Sequence, residues 1–325
     1  MVPLWLGAMM ALAGCLPGQQ VPVVVGVTPP GRGPVPVTTV PPTTPPPTTT
    51  SPVPNGPAWR VIGGDEFNGT SIDPTLWKAY HSNYGDGGGS TKQCLTPANV
   101  VEGGGMVQLT ARRQQVTCPN GSVRSFTSGF LGSRDVGRYY PKFARFEVRA
   151  KLPHGQGLWP AFWLRHRNGA GAAEVDIMEY LHTDQPGFTS GTLHLDGRYN
   201  LSKKYVWVED PAAAPAWHTW GVDVEPSGSD VRFTFRLDGV AYHSYVDTQH
   251  AWASSADPNA TWDIAVNLAV GGNWSGNPDD ALGYLGNLDR CAQGGIPPAC
   301  VATGVRRAVF PSTYAVDWVR VSTHS

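Results

Sequence analysis

The chain has 325 residues, a net charge of −1, 15% charged residues and 41% hydrophobic residues. That length suits one large all-β unit with extra segments. The sparse, balanced charge excludes the dense basic face that nucleic-acid binding requires, and the absence of an apolar run of 18 residues excludes an ordinary membrane-spanning helix. Thirty-nine glycines and 30 prolines disfavour a helical bundle and favour short strands joined by turns.

Residues 1–15 form a short apolar run ending Leu12-Ala13-Gly14-Cys15. A run this short reads as the hydrophobic region of an export signal. Leu-Ala-Gly-Cys resembles the lipobox of bacterial lipoproteins, which makes Cys15 the expected lipidation site. The alternative is an ordinary secretory signal with an unmodified cysteine. Either way the protein is expected to be exported, to the extracellular space or the cell surface, with a lipid at Cys15 as its only membrane attachment. Residues 16–58 hold 14 prolines, 8 threonines and one charged residue, Arg32. Such a segment cannot bury a core, and its prolines predict an extended linker.

From Trp59 to Ser325 the composition changes to that of a folded domain. Phe146, Val148, Ala150 and Leu152 alternate with Arg145, Glu147, Arg149 and Lys151. Val231, Phe233, Phe235 and Leu237 repeat the pattern, as do Trp262, Ile264, Val266, Leu268 and Val270. Period two predicts strands with one buried face. Asp238-Gly239 after the second run predicts a hairpin turn. With no sustained helical periodicity, these strands predict a single all-β sandwich.

Four cysteines remain once Cys15 is set aside: Cys94, Cys118, Cys291 and Cys300. In an exported chain an even number predicts two disulfides, of three possible connectivities. Local pairing, Cys94–Cys118 and Cys291–Cys300, closes the shortest loops. The spacings do not suit a zinc site.

The segment Glu174-Val175-Asp176-Ile177-Met178-Glu179 places three carboxylates within six residues, in a chain with seven glutamates and 18 aspartates. The β-branched Val175 and Ile177 predict a strand. On a regular strand Glu179 would point into the core with Val175 and Ile177, which is costly for a carboxylate. One inserted residue near Ile177-Met178, a β-bulge, would return Glu179 to the face of Glu174 and Asp176. The two glutamates would then stand roughly 13 Å apart at Cα. Leaning together over a concave sheet, their carboxyls could approach to about 5–6 Å, the range in which retaining glycosidases place their nucleophile and acid/base. Asp176 would lie between them and hydrogen-bond one glutamate, and the neighbouring anions would raise the pKa of the proton-bearing acid. The rival readings are a solvated acidic strand and a calcium site.

Trp159 and Trp163 share strand parity just before this segment. Tryptophan faces offer sugars a large contact area at low entropic cost, whereas Phe162, of opposite parity, reads as core. His194 is a candidate donor to a sugar hydroxyl. Trp274, in the glycine-rich loop Gly271-Gly272-Asn273-Trp274-Ser275-Gly276, is a candidate ligand-binding aromatic.

Together these residues resemble glycoside hydrolase family 16, in particular its bacterial laminarinase-like (endo-β-1,3-glucanase) members. The landmarks run in order from Asp65-Glu66-Phe67-Asn68-Gly69, through Arg145 to Pro153, Trp159 to Trp163, Glu174 to Glu179 and Gly191 to His194, to Asn267 through Trp274 and Val316-Asp317-Trp318-Val319-Arg320-Val321. The resemblance implies a concanavalin A-like jelly roll of two antiparallel sheets with a concave substrate cleft. It implies Glu174 as nucleophile, Glu179 as general acid/base and Asp176 as assistant to the nucleophile, with Trp159, Trp163 and His194 lining subsites. The activity implied is retaining, endo-acting hydrolysis of a β-glucan, most simply β-1,3-glucan. A β-galactan hydrolase, a transglycosylase and a non-catalytic glucan-binding protein are the rivals. No cofactor is implied for the chemistry, the expected state is a monomer, and many relatives hold a structural calcium, for which Glu66, Gly104 and Asp317 are the corresponding candidates. The Tyr84-to-Cys94 region departs from the family pattern and is the place where a different sugar would be selected.

Overall fold

The alternating segments all become strands in the computed structural model. It describes residues 58–83, 91–166, 173–181, 187–195, 198–209, 213–248, 261–279 and 307–325. Cys15, the 16–57 segment, residues 84–90 and the Cys291 and Cys300 pair lie outside the described residues. In chain order the strands are β1 (Trp59–Asp65), β2 (Lys78–Ala79), β3 (Gln93–Leu95), β4 (Val100–Glu102), β5 (Val107–Thr117), β6 (Val123–Ser128), β7 (Phe130–Gly132), β8 (Tyr140–Pro141) and β9 (Ala144–Lys151). They continue as β10 (Leu158–His166), β11 (Glu174–Glu179), β12 (Phe188–Leu195), β13 (Arg198–Trp207), β14 (Trp217–Ser227), β15 (Asp230–Leu237), β16 (Val240–Asp247), β17 (Thr261–Val270) and β18 (Ser312–His324).

Two sheets result. One runs β16-β15-β14-β9-β18-β5-β6-β3, with β1 on β18 and β4 on β5; the other runs β13-β12-β11-β10-β17-β7-β2, with β8 on β17. Pairing is antiparallel throughout these strands except between β3 and β6. The jelly-roll expectation of two antiparallel-rich sheets is met. Period two drives the packing: β9 alternates buried and half-buried along its whole length. Its Phe146, Val148 and Ala150, with Val222 and Val224 of β14 and Phe233 and Phe235 of β15, meet Phe162, Leu164, Val175, Ile264, Val266 and Leu268 of the second sheet in one core. Each fully buried side chain of this size contributes about 1.5–3 kcal/mol. On β18 the register slips between Val316 and Trp318, so that Val316 and Val319 are both buried while Asp317 and Trp318 lie outward.

The predicted hairpin forms at Asp238-Gly239, with φ of +50° and +79° and Leu237 paired to Val240. Both central residues at positive φ make the mirror-image turn that matches strand twist. The disulfide expected between Cys94 and Cys118 is present, with Cα atoms 5.8 Å apart. It ties β3 to the turn between β5 and β6.

Candidate active site

The acidic strand sits in the middle of the second sheet, and its register explains where its carboxylates point. On β12, Asp176 is opposite Thr192 and Glu179 is opposite Ser190, an advance of three residues on β11 for two on β12. Against β10 the same slip appears, with Asp176 opposite Trp163 and Met178 opposite Phe162. This is a β-bulge at Ile177-Met178, where the parity argument required one. Val175, Ile177 and Met178 are all buried in the core. Glu174, Asp176 and Glu179 emerge together on the other face, beside Arg165, Trp163 and Ala161 of β10. That face also carries Asp263, Ala265 and Asn267 of β17.

Glu174 is half-buried, whereas Asp176 and Glu179 are buried. Burial, and next the Asp176 carboxylate, push Glu174 up to about 8. Burial and then the Glu179 charge hold Asp176 well above the usual carboxylate range. Glu179 is raised by burial and pulled back by the Lys203 and His194 charges and by the Trp159 N–H. Three crowded carboxylates do not all ionise near neutral pH, so the strand retains a proton there. Arg165 lies directly across from Glu174 and favours its ionised form. The guanidinium is held by Asp263 through Nε at 2.8 Å and Nη2 at 2.5 Å.

His194 stands on β12 directly opposite Glu174. Its Nε2 lies 3.0 Å from Asp176 Oδ2, and its Nδ1 accepts the Asn200 N–H at 3.1 Å. Burial lowers its pKa, so the neutral ring carries its proton on Nε2, toward Asp176. Both ring nitrogens are thus engaged within the protein. Asp176 in turn has its Oδ2 against this histidine rather than against a glutamate. Asn200 reaches the ring from a φ of +51°, a conformation asparagine tolerates well.

The aromatics form one arm of the cleft. Trp159 Nε1 donates to Glu179 Oε1 at 3.1 Å, and its ring meets that of Trp274 at 5.6 Å. Trp274 is 51% exposed. Trp163 Nε1 donates to Asn267 Oδ1 at 2.7 Å, and its ring stands edge-on to Phe130, 6.3 Å away. Tyr80 packs on Phe130 in turn. Phe162 is fully buried in the core, as its parity required.

Two of the three calcium candidates pair with arginines in this structure. Both Glu66 oxygens bind Arg320, at 2.7 and 2.8 Å. Asp317 pairs with Arg149, and Gly104 occupies a left-handed turn position.

Arg165, Asn267 and Lys203 escaped the sequence reading. Arg165 continues the period-two series from Trp159 and Trp163, so parity alone could have found it. Asn267 and Lys203 depend on the registers of β17 and β13, which no local pattern encodes.

The sequence profile of glycosyl hydrolases family 16 matches residues 90–283. The chain belongs to this family. It is 29% identical over 253 residues to a glucan endo-1,3-beta-glucosidase A1 of Niallia circulans, covering 69% of this chain and 36% of that protein. It is 28% identical over 287 residues to a beta-glucanase of Rhodothermus marinus, covering 82% and 85%. The chain thus spans about a third of the first relative and most of the second. Among solved structures, the endo-beta-1,3-glucanase from Pyrococcus furiosus superposes with a TM-score of 0.65 at 27% identity, over 83% of this chain and 97% of that one. The family 16 profile covers the strands that carry the carboxylates, both cleft tryptophans and Trp274.

Proposed function

We propose that this protein is an endo-acting β-1,3-glucan hydrolase that retains anomeric configuration. The observation that carries the reading is the bulged strand β11, which brings Glu174, Asp176 and Glu179 to one cleft face beside Trp159 and Trp163. The named activities of the similar proteins from Niallia, Rhodothermus and Pyrococcus support the choice of β-glucan. With the proton retained by the three coupled carboxylates resting on Glu179, the Glu174 carboxylate attacks the anomeric carbon while Glu179 gives that proton to the glycosidic oxygen. The carbon–oxygen bond breaks, the leaving sugar departs, and a covalent glycosyl-enzyme forms. Glu179, now a carboxylate, takes a proton from water; the water oxygen attacks the same carbon, and Glu174 is released. Asp176, oriented by His194, holds the charge balance between the two glutamates. Trp159, Trp163 and Trp274 supply stacking surface for the sugar chain.

The leader supports a location as well. With Cys15 lipidated and residues 16–58 as spacer, the enzyme is exported and tethered to a membrane surface. Cys15→Ser would release it into the medium; full retention on cells would overturn the anchor.

The test is product analysis. The chain from Trp59 onward is incubated with laminarin, mixed-linkage β-glucan, agarose and β-galactan, beside its Glu174→Gln variant. Oligosaccharides from laminarin with the parent alone are expected. Products from a galactan only would overturn the substrate, and binding without cleavage of any polymer would overturn the enzyme.

A further inference from the structure

Strand β13 is the edge of the concave sheet, beyond β12. Its pairing sets Lys203 opposite Thr192 and Tyr205 opposite Ser190, which in turn stand opposite Asp176 and Glu179. Two rows therefore cross the cleft floor, Asp176–Thr192–Lys203 and Glu179–Ser190–Tyr205. At about 4.8 Å per strand, the last residue of each row lies roughly 10 Å from its acid. The middle positions are small, so a sugar chain crossing the acids away from the tryptophans passes over Thr192 and Ser190 and reaches Lys203.

The ammonium of Lys203 stands 5.2 Å from the Tyr205 ring centroid. Among the described residues it has no ion-pair partner. Arg165, which stands across from Glu174, is instead held by Asp263, a carboxylate it shares with Arg134. Pairing through Thr192 sets Lys203 on the same sheet face as Asp176, and its charge favours the ionised forms of Asp176 and Glu179. A half-buried ammonium with an aromatic ring beside it and no carboxylate of its own suits a sugar that brings the anion.

We propose that Lys203 and Tyr205 form a subsite for a sugar bearing an anionic substituent, a sulfate ester or a carboxylate, on the cleft arm opposite the tryptophans. The anion pairs with Lys203 while the sugar ring lies against Tyr205. This rests on the reading of the cleft as glycan-cleaving and names a substrate class for one arm of it. The anion is held two strands away from the carboxylates, which would repel it at closer range.

The experiment compares the parent, Lys203→Met and Lys203→Arg on laminarin oligosaccharides that are neutral, chemically sulfated or carrying an oxidised 6-carboxylate. The quantity read is the ratio of kcat/KM for each anionic form to that for the neutral form. Lys203→Met should lower that ratio by about tenfold or more, as expected for loss of a charge-assisted hydrogen bond, and Lys203→Arg should restore most of it. The parent's preference should weaken with added salt. An unchanged ratio would overturn the subsite, even where Lys203→Met alters the neutral substrate through the acids. Calorimetric titration of Glu179→Gln with the same oligosaccharides separates the two readings. Anion-dependent binding lost in the Glu179→Gln/Lys203→Met double variant supports the subsite even if no polymer is cleaved; binding indifferent to the anion overturns it.

Discussion

His194 Nε2 sits 3.0 Å from Asp176 Oδ2, with the Asn200 amide fixing the opposite ring nitrogen. The middle carboxylate of the strand is buried, so its orientation depends on this imidazole. Removing the donor leaves a buried carboxylate oxygen without its partner, which costs about 1–3 kcal/mol. His194→Ala should therefore lower kcat by roughly tenfold to a hundredfold with little change in KM. His194→Gln, which keeps an N–H on a side chain of similar reach, should recover part of the loss. A rise in KM with kcat intact would instead return His194 to the role of a sugar contact.

The crowded acids also tie stability to pH. Glu174 is held near 8 against an ordinary 4.5, so the folded protein keeps a proton that the unfolded chain releases. The unfolded state then binds fewer protons between those values, and stability falls as pH rises from about 4.5 to about 8. Asp176 and Glu179, also raised, act in the same direction. Glu174→Gln replaces the ionisable group by a neutral amide and removes the penalty. Its melting temperature should exceed the parent's at pH 8 by a few degrees and match it near pH 5. A gap independent of pH would argue that packing, not charge, separates the two proteins.

What the sequence discloses here depends on whether the signal is local. The bulge at Ile177-Met178 was legible because only a parity change keeps Glu179 out of an aliphatic core. Phe162 and the two tryptophans were separable by the same parity, and Asp238-Gly239 by its turn chemistry. The role of His194 was not legible, because its partner is set by the β11–β12 register and by Asn200, six residues away at a positive φ. The arginine partners of Glu66 and Asp317 were hidden for a related reason: Arg320 and Arg149 meet them across strands, and nothing local to those carboxylates announces it.

The Cys94–Cys118 bond supports the cleft at one remove. Beside Cys94, Gln93 Oε1 accepts the Val270 N–H at 2.8 Å, and the Lys92 N–H donates to Val270 O at 2.7 Å. Val270 ends β17, and the loop that carries Trp274 begins at the next residue. Replacing both cysteines by serine should cost about 2–4 kcal/mol and lower the melting temperature. It should also raise KM for long oligosaccharides more than for short ones, because the Trp274 loop loses its anchor. Equal KM values across chain lengths would confine the bond to a role in stability.

Trp159 combines two functions that a single substitution can separate. Its ring stacks toward Trp274, and its N–H donates to Glu179 Oε1. That hydrogen bond favours the ionised form of Glu179. Trp159→Phe keeps an aromatic face and deletes the donor, so Glu179 should hold its proton to higher pH. If Glu179 is the acid that protonates the leaving oxygen, activity on the alkaline side is limited by loss of that proton. The alkaline limb of the kcat/KM profile should then move upward in Trp159→Phe, while the loss of ring area raises KM modestly. A pH–rate profile of the two proteins on one laminarin oligosaccharide decides it. An alkaline limb that stays in place would remove Glu179 from the acid role and require another group to carry the proton.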